Sequence, residues 1–267
     1  MEIPSYVIVT PKAKVSFFKE GNNPRAQKKY CSDSIEEYRT EVKVYSKCRH
    51  PNIIKMISHI DDERRLILEL MNCSLERCME FWDDREKYVL KLCMDVTVGV
   101  KCLHDNGFAH MDLYIKNILV TINSDGITAK ICDMGMAVSE EILRMYNYGT
   151  VLVMPKEAFI PRENITMEIC FGIDIWSIGC LFNYITEDDL ESTLIHRLLL
   201  DRTNQKTIDS ILGFTQEDID KSITKNNNRI SKLILSILRI DRTERPSLDT
   251  ISKELARLSG KYIEELF

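Results

Sequence analysis

The sequence predicts an α+β fold with a strand-rich first part and a larger helical remainder. Three observations predict it: short β-like apolar runs stand before Met71, apolar residues step by four and three in several later segments, and one turn-punctuated pair of β-like runs lies between them. With 267 residues, 44% of them hydrophobic, the chain can fill one sizeable core or two lobes sharing a cleft.

Taken in order, Tyr6-Val-Ile-Val-Thr10 reads as a strand hairpinned to Val15-Ser-Phe-Phe-Lys19. The polar stretch from Glu20 to Asp33, containing Gly21-Asn-Asn-Pro24, reads as a flexible connection. Ser34 followed by Glu37 has the spacing of a capping box. Ile35, Tyr38, Val42 and Tyr45 then repeat at helical spacing, so one stripe faces inward. Arg65-Leu-Ile-Leu-Glu-Leu-Met71 reads as a strand. A helix from about 87 to 104 buries Val89, Cys93, Val96, Val100 and Leu103 on one face. Ile118-Leu-Val-Thr-Ile122 and Ala129-Lys-Ile-Cys132, joined by Asn123-Ser-Asp-Gly126, read as a hairpin that delivers Asp133 to a cleft. Ile230 to Leu238 and Leu248 to Leu258 are amphipathic helices, while Thr186 to Asn228 has no legible period.

Composition excludes more than it specifies. A net charge of −5 gives no electrostatic reason to expect nucleic acid, and Arg64-Arg65 and Lys28-Lys29 read as solvated surface pairs. Nine cysteines without a C-x-x-C pair suggest neither a zinc site nor a disulfide framework, which favours a reducing compartment. Met1 to Thr10 lacks the pattern of a signal peptide, and no apolar run approaches the roughly 20 residues that span a bilayer. An intracellular protein, cytoplasmic or nuclear and without a membrane partner, is expected.

The chemistry lies in His110-Met-Asp112-Leu-Tyr-Ile-Lys116-Asn117 followed by Asp133-Met-Gly135. Two carboxylates and an amide in this order suit phosphoryl transfer, in which one carboxylate orients the attacking hydroxyl and the other two groups hold metal ions. A lone H-x-D would be no more than a solvated turn. Here the segment resembles the catalytic loop and metal-binding motif of the eukaryotic protein kinase family, serine/threonine type. Further segments in the right order carry the same resemblance: Glu41 to Ile54, Gly149-Thr150-Val-Leu-Val-Met-Pro155-Lys156-Glu157, Asp174-Ile-Trp176-Ser-Ile-Gly179 and Asp241-Arg-Thr-Glu-Arg245-Pro-Ser.

The resemblance implies a bilobal kinase domain over 1–267, with a small truncated lobe and hinge in 1–71 and a larger helical lobe in 72–267. It implies ATP and Mg2+ or Mn2+ as cofactors, a protein substrate, and a possible regulatory protein or partner kinase. Asp112 matches the base, Asn117 and Asp133 match the metal ligands, and Glu41 matches the partner of the ATP-positioning lysine. Lys19 is assigned as that lysine over Lys14 and Lys29, because it ends an apolar β-like run. Leu68 would be the gatekeeper, with the backbone of Glu69 and Met71 facing adenine. His110 is a structural histidine, Asp174 opens a long buried helix, Thr150 favours a small hydroxyl substrate, and Glu157 and Arg245 form a buried ion pair.

The chain departs from the family pattern at several places. Tyr114 stands where serine/threonine kinases carry a lysine, and Lys116, two residues later, supplies the cation instead. Met111 and Met134 replace the usual arginine and phenylalanine, and Met111 argues against dependence on a phosphate in the activation segment. No glycine precedes Gly21, so the strand and glycine-rich loop that cover the nucleotide are expected to be missing. That leaves an open site, in which adenosine and ATP bind alike. Two classes follow: an active minimised kinase, or a pseudokinase that binds a partner kinase or its substrate.

Overall fold

The computed structural model describes residues 6–81, 85–124, 126–145, 149–187, 204–224 and 230–260. Its small lobe is a five-stranded antiparallel sheet in the order β1-β2-β3-β5-β4: β1 (Ile8–Val9), β2 (Ala13–Glu20), β3 (Asn23–Tyr30), β4 (Met56–Ile60) and β5 (Arg65–Glu69). Helix α1 (Ile35–Lys47) packs beside it.

This sheet corrects two expectations. The stretch from Glu20 to Asp33 is no flexible connection: it holds β3, which pairs along its whole length with β2 through a tight turn at Gly21 and Asn22. Gly21 sits at φ +61°, a region open to glycine at little cost, so the turn falls there. The strand expected to be missing is also present, since β1 and β2 both precede β3. Ala26, Lys28 and Tyr30 are buried on alternate positions of β3, a period of two that its charged composition hides.

Helix α1 begins at Ile35 as the sequence indicates, but no capping box forms. Ser34 makes no side-chain cap, and Glu37 turns instead toward Lys12 at 3.0 Å. The buried stripe is correspondingly displaced, to Tyr38, Glu41, Val44 and Tyr45, with Ile35 exposed.

The large lobe starts with β6 (Cys73–Ser74), which joins β7 (Ile118–Asn123) and β8 (Gly126–Ile131) in a second sheet. Short α2 (Leu75–Met79) follows β6, and its Ser74 cap accepts from the Arg77 amide. Helix α3 (Val89–Asp105) buries all five residues of the expected stripe and lies on β8. Gly99 permits that approach, because a Cβ there would stand 2.9 Å from the Asn52 carbonyl oxygen and 2.8 Å from Ile131 Cδ1.

Helix α4 (Met167–Thr186) runs through the lobe and buries Ile173, Asp174, Ile178, Cys180, Leu181 and Phe182. Asp174 therefore lies two turns inside the helix and not at its start. The helix also revises the expectation about apolar runs, being long and apolar enough to cross a membrane by composition. Yet 72% of its most apolar window is buried inside the lobe, as in a core helix of a folded domain. Helices α5 (Asn204–Gly213) and α6 (Gln216–Thr224) occupy part of the stretch whose period was illegible; residues 188–203 and 225–228 of it lie outside the described residues. Helices α7 (Ser231–Ile237) and α8 (Leu248–Ser259) close the lobe, α7 on α4 and α8 on α3.

Candidate active site

Between the lobes lies a cleft of about 390 Å³ whose walls include Lys12, Lys28, Asp112, Asp133 and Thr150. Strand β3 brings the Lys28 ammonium to 2.9 Å from both Glu41 Oε2 and Asp133 Oδ1. Lys19, assigned this role from the sequence, is exposed near the β2–β3 turn, in register with Pro24. Lys28, read as half of a solvated pair, is the buried one. The error is one of strand: β2 is the apolar run, whereas β3 points its lysine and Tyr30 inward and so reads as surface.

Glu41 is fully buried and accepts from four donors. Besides Lys28 they are the Tyr30 hydroxyl, the Tyr45 hydroxyl at 3.0 Å and the Met134 amide at 3.1 Å. A buried carboxylate is tolerable only when its lone pairs are used in this way. Burial works against the charge on Lys28, but Glu41 and Asp133 outweigh it and hold the ammonium well above its usual pKa. Partial burial likewise opposes the Asp133 carboxylate, yet Lys28 keeps its pKa below the ordinary value. Tyr30 is pushed upward by burial and by Glu41, so its hydroxyl stays protonated and donates.

Asp133 adopts left-handed φ +62°, and its amide donates to the Tyr45 hydroxyl at 3.1 Å. A non-glycine residue rarely takes that conformation, and here the hairpin β7–β8 behind it and the bonds around it impose it. Cys132 donates its amide to the Asn117 carbonyl and accepts from His110 Nε2 at 3.0 Å. His110 also takes the Asp112 amide on Nδ1 at 3.2 Å, so its two ring nitrogens are committed to structure.

The loop carrying Asp112 hangs from α4. Asp174 accepts from the backbone amides of His110 at 2.7 Å and Met111 at 2.9 Å, and meets His104 Nε2 at 2.8 Å. Met111 is held fully buried at φ +65° by this grip. One Asp112 oxygen accepts from both the amide and hydroxyl of Thr150, each at 2.7 Å, and the other accepts from Asn117 Nδ2 at 2.9 Å. Asn117 Nδ2 also donates to the Asp112 carbonyl at 2.8 Å, and among the described residues its amide oxygen has no partner. Next to them a Cβ on Gly149 would lie 2.5 Å from Asp112 Oδ1.

The remaining assignments separate. Glu157 pairs with Arg245, whose side chain is 1% exposed and also donates to the carbonyls of Gly172 and Arg239 and stacks over Trp176. Leu68 is buried opposite Ala26 of β3. The Glu69 side chain is drawn to Lys130 at 2.6 Å and to the Lys55 amide, and Met71 is buried. Lys116 is not gathered in: its ammonium lies 3.6 Å from Glu76 and its side chain is 61% exposed.

An uncommitted Asn117 oxygen and the half-exposed Asp133 carboxylate make a fitting pair for a hard divalent cation that takes its other ligands from phosphate and water. No cluster of three or more His, Cys, Asp or Glu suited to a metal exists among the described residues.

The protein kinase domain profile matches residues 9–255. The chain belongs to the protein kinase family. This kinase is 29% identical over 197 residues to mitogen-activated protein kinase mpkC of Emericella nidulans, covering 71% of this chain and 44% of that one. It is 30% identical over 151 residues to serine/threonine-protein kinase polo of Drosophila melanogaster, with coverage of 55% and 25%. Against mitogen-activated protein kinase HOG1A of Wallemia ichthyophaga it is 28% identical over 195 residues, with coverage of 71% and 50%. The chain thus spans half or less of the length of these relatives. The signal for Lys28 that sequence reasoning passed over was local: Ala26-Gln27-Lys28 has a small residue two places before the lysine, and Tyr30 continues the alternation.

Proposed function

We propose that this kinase is an active serine/threonine enzyme that transfers the γ-phosphoryl group of ATP to a protein hydroxyl. The observation that carries this reading is the unbroken chain Asp133–Lys28–Glu41 beside an oriented Asp112. Lys28, with its charge fixed by two carboxylates, would hold the phosphates nearest the adenosine. Asn117 and Asp133 would hold Mg2+ or Mn2+, which neutralises phosphate charge when bound. Asp112, aligned by Thr150 and Asn117, would take the hydrogen bond of the incoming hydroxyl and then its proton. Backbone groups of Glu69 and Met71, below Leu68 and Ala26, would face adenine. Similarity to kinases named as serine/threonine and mitogen-activated enzymes supports the choice of hydroxyl. Nine free thiols support an intracellular location.

The test is transfer of radiolabel from ATP to a generic protein acceptor with Mg2+ or Mn2+, wild type beside Asp112→Asn, followed by identification of the labelled amino acid. Label on serine or threonine from the wild type alone is the expected result. Equal silence in both proteins would instead mark a pseudokinase that works by binding a partner.

A further inference from the structure

The turn between β1 and β2 lies over the cleft, where a kinase needs groups for the phosphates, yet its backbone offers little. The Thr10 amide donates to the Ala13 carbonyl at 2.9 Å, and the Ala13 amide donates to Thr10 Oγ1 at 3.0 Å. Pro11 between them has no N–H. With two of its amides spent inside it and a third replaced by proline, the turn keeps at most the Lys12 N–H, too few for a concave nest around an anion. What it presents is a side chain: Lys12 walls the same cleft as Lys28 and Asp133.

We propose that Lys12 is a phosphate-binding residue, a single cation that does the work of a covering glycine-rich loop. The inference rests on nucleotide binding as proposed above. Its backbone is fixed, since the Lys12 carbonyl accepts from the Cys31 amide at 2.9 Å, just beyond the strand that carries Lys28. Its head is lightly held. The ammonium rests 3.0 Å from Glu37 and 3.2 Å from the Met136 sulfur, with the side chain 48% exposed. One ion pair, half-exposed on its lysine side, and a thioether are weak competitors for a triphosphate. Glu37, freed from the helix cap, parks the lysine at the cleft mouth until an anion draws it away.

The competing reading is a latch, in which Lys12 and Glu37 merely tie the turn to α1. Calorimetry with adenosine and with ATP and magnesium separates the two, using wild type, Lys12→Met, Lys12→Arg and Glu37→Gln. A phosphate ligand of this kind is worth a charge-assisted hydrogen bond, so Lys12→Met should weaken ATP about tenfold. Adenosine affinity should be unchanged, Lys12→Arg should retain ATP binding, and Glu37→Gln should leave it equal or tighter. Equal loss of ATP affinity in Lys12→Met and Glu37→Gln would establish the latch and overturn the proposal. So would ATP binding by Lys12→Met as tight as by the wild type, while adenosine binding in all four proteins would keep the nucleotide reading standing. A wild type that binds neither ligand at millimolar concentration would remove that reading, and this inference with it.

Discussion

Lys28 and Lys19 provide the sharpest contrast between neighbouring residues of one type. Removal of Lys28 leaves Glu41 buried without its cation, so Lys28→Met should cut turnover by more than about 100-fold and lower stability by about 3 kcal/mol. Lys19→Met changes an exposed position near a hairpin turn and should leave both unaltered, which steady-state kinetics and urea titration would check together. Gly149→Ala belongs to the same scale. Its Cβ would collide with the Asp112 carboxylate, so turnover should fall about tenfold or more while far-UV circular dichroism stays unchanged. That Asp112, Asn117 and Asp133 come together could be read from sequence because they follow one another in a fixed order within one recognisable pattern. The lysine could not, because its recognition depends on which of two paired strands faces inward, a fact of register that the charged text of β3 conceals.

Among elements, β3, α1 and the turn before β1's partner strand decide how the small lobe walls the cleft. The charge state of their shared ion pairs can be derived. Lys28 is raised, so the stability it contributes is complete below the ordinary lysine pKa and is lost only as pH climbs through its higher folded value. Asp133 is lowered, so its contribution is complete above the ordinary aspartate pKa and fades as pH falls through its lower folded value. The window between these limits contains neutrality. Urea midpoints of the wild type should therefore be flat from pH 6 to 8 as far as these groups are concerned, with no step there that Lys28→Met abolishes. Helix α3 and the β7–β8 hairpin were legible, because long apolar periodicity and alternation survive in their sequences. The cap of α1 misled, since Glu37 has the right spacing but a stronger attraction in Lys12.

Across the whole molecule, the two lobes differ in what fixes them. The large lobe is organised around α4, from which Asp174 holds the catalytic loop and against which Arg245 stacks. Breaking the buried Glu157–Arg245 pair strands a cation whose side chain is 1% exposed, so Glu157→Ala should cost about 3 to 5 kcal/mol in chemical denaturation. Charge reversal at the exposed Arg257–Glu254 pair of α8 should leave the midpoint nearly unchanged by the same measurement. The α+β architecture was foreseeable from periodicity and the motif order, whereas the strand count of the small lobe was not. Glycine had stood as a surrogate for the covering turn, and this chain builds the turn with threonine and proline.

The four donors around Glu41 also bear on how the protein could be inhibited. A compound that wedges behind α1 must first pull that carboxylate from an ammonium, two phenols and an amide, and strand it in a dry pocket. Compounds that enter only beside Leu68, Glu69 and Met71 break none of these bonds. A screen of conformation-selective ligands against this protein should return the second kind and leave the first without measurable affinity.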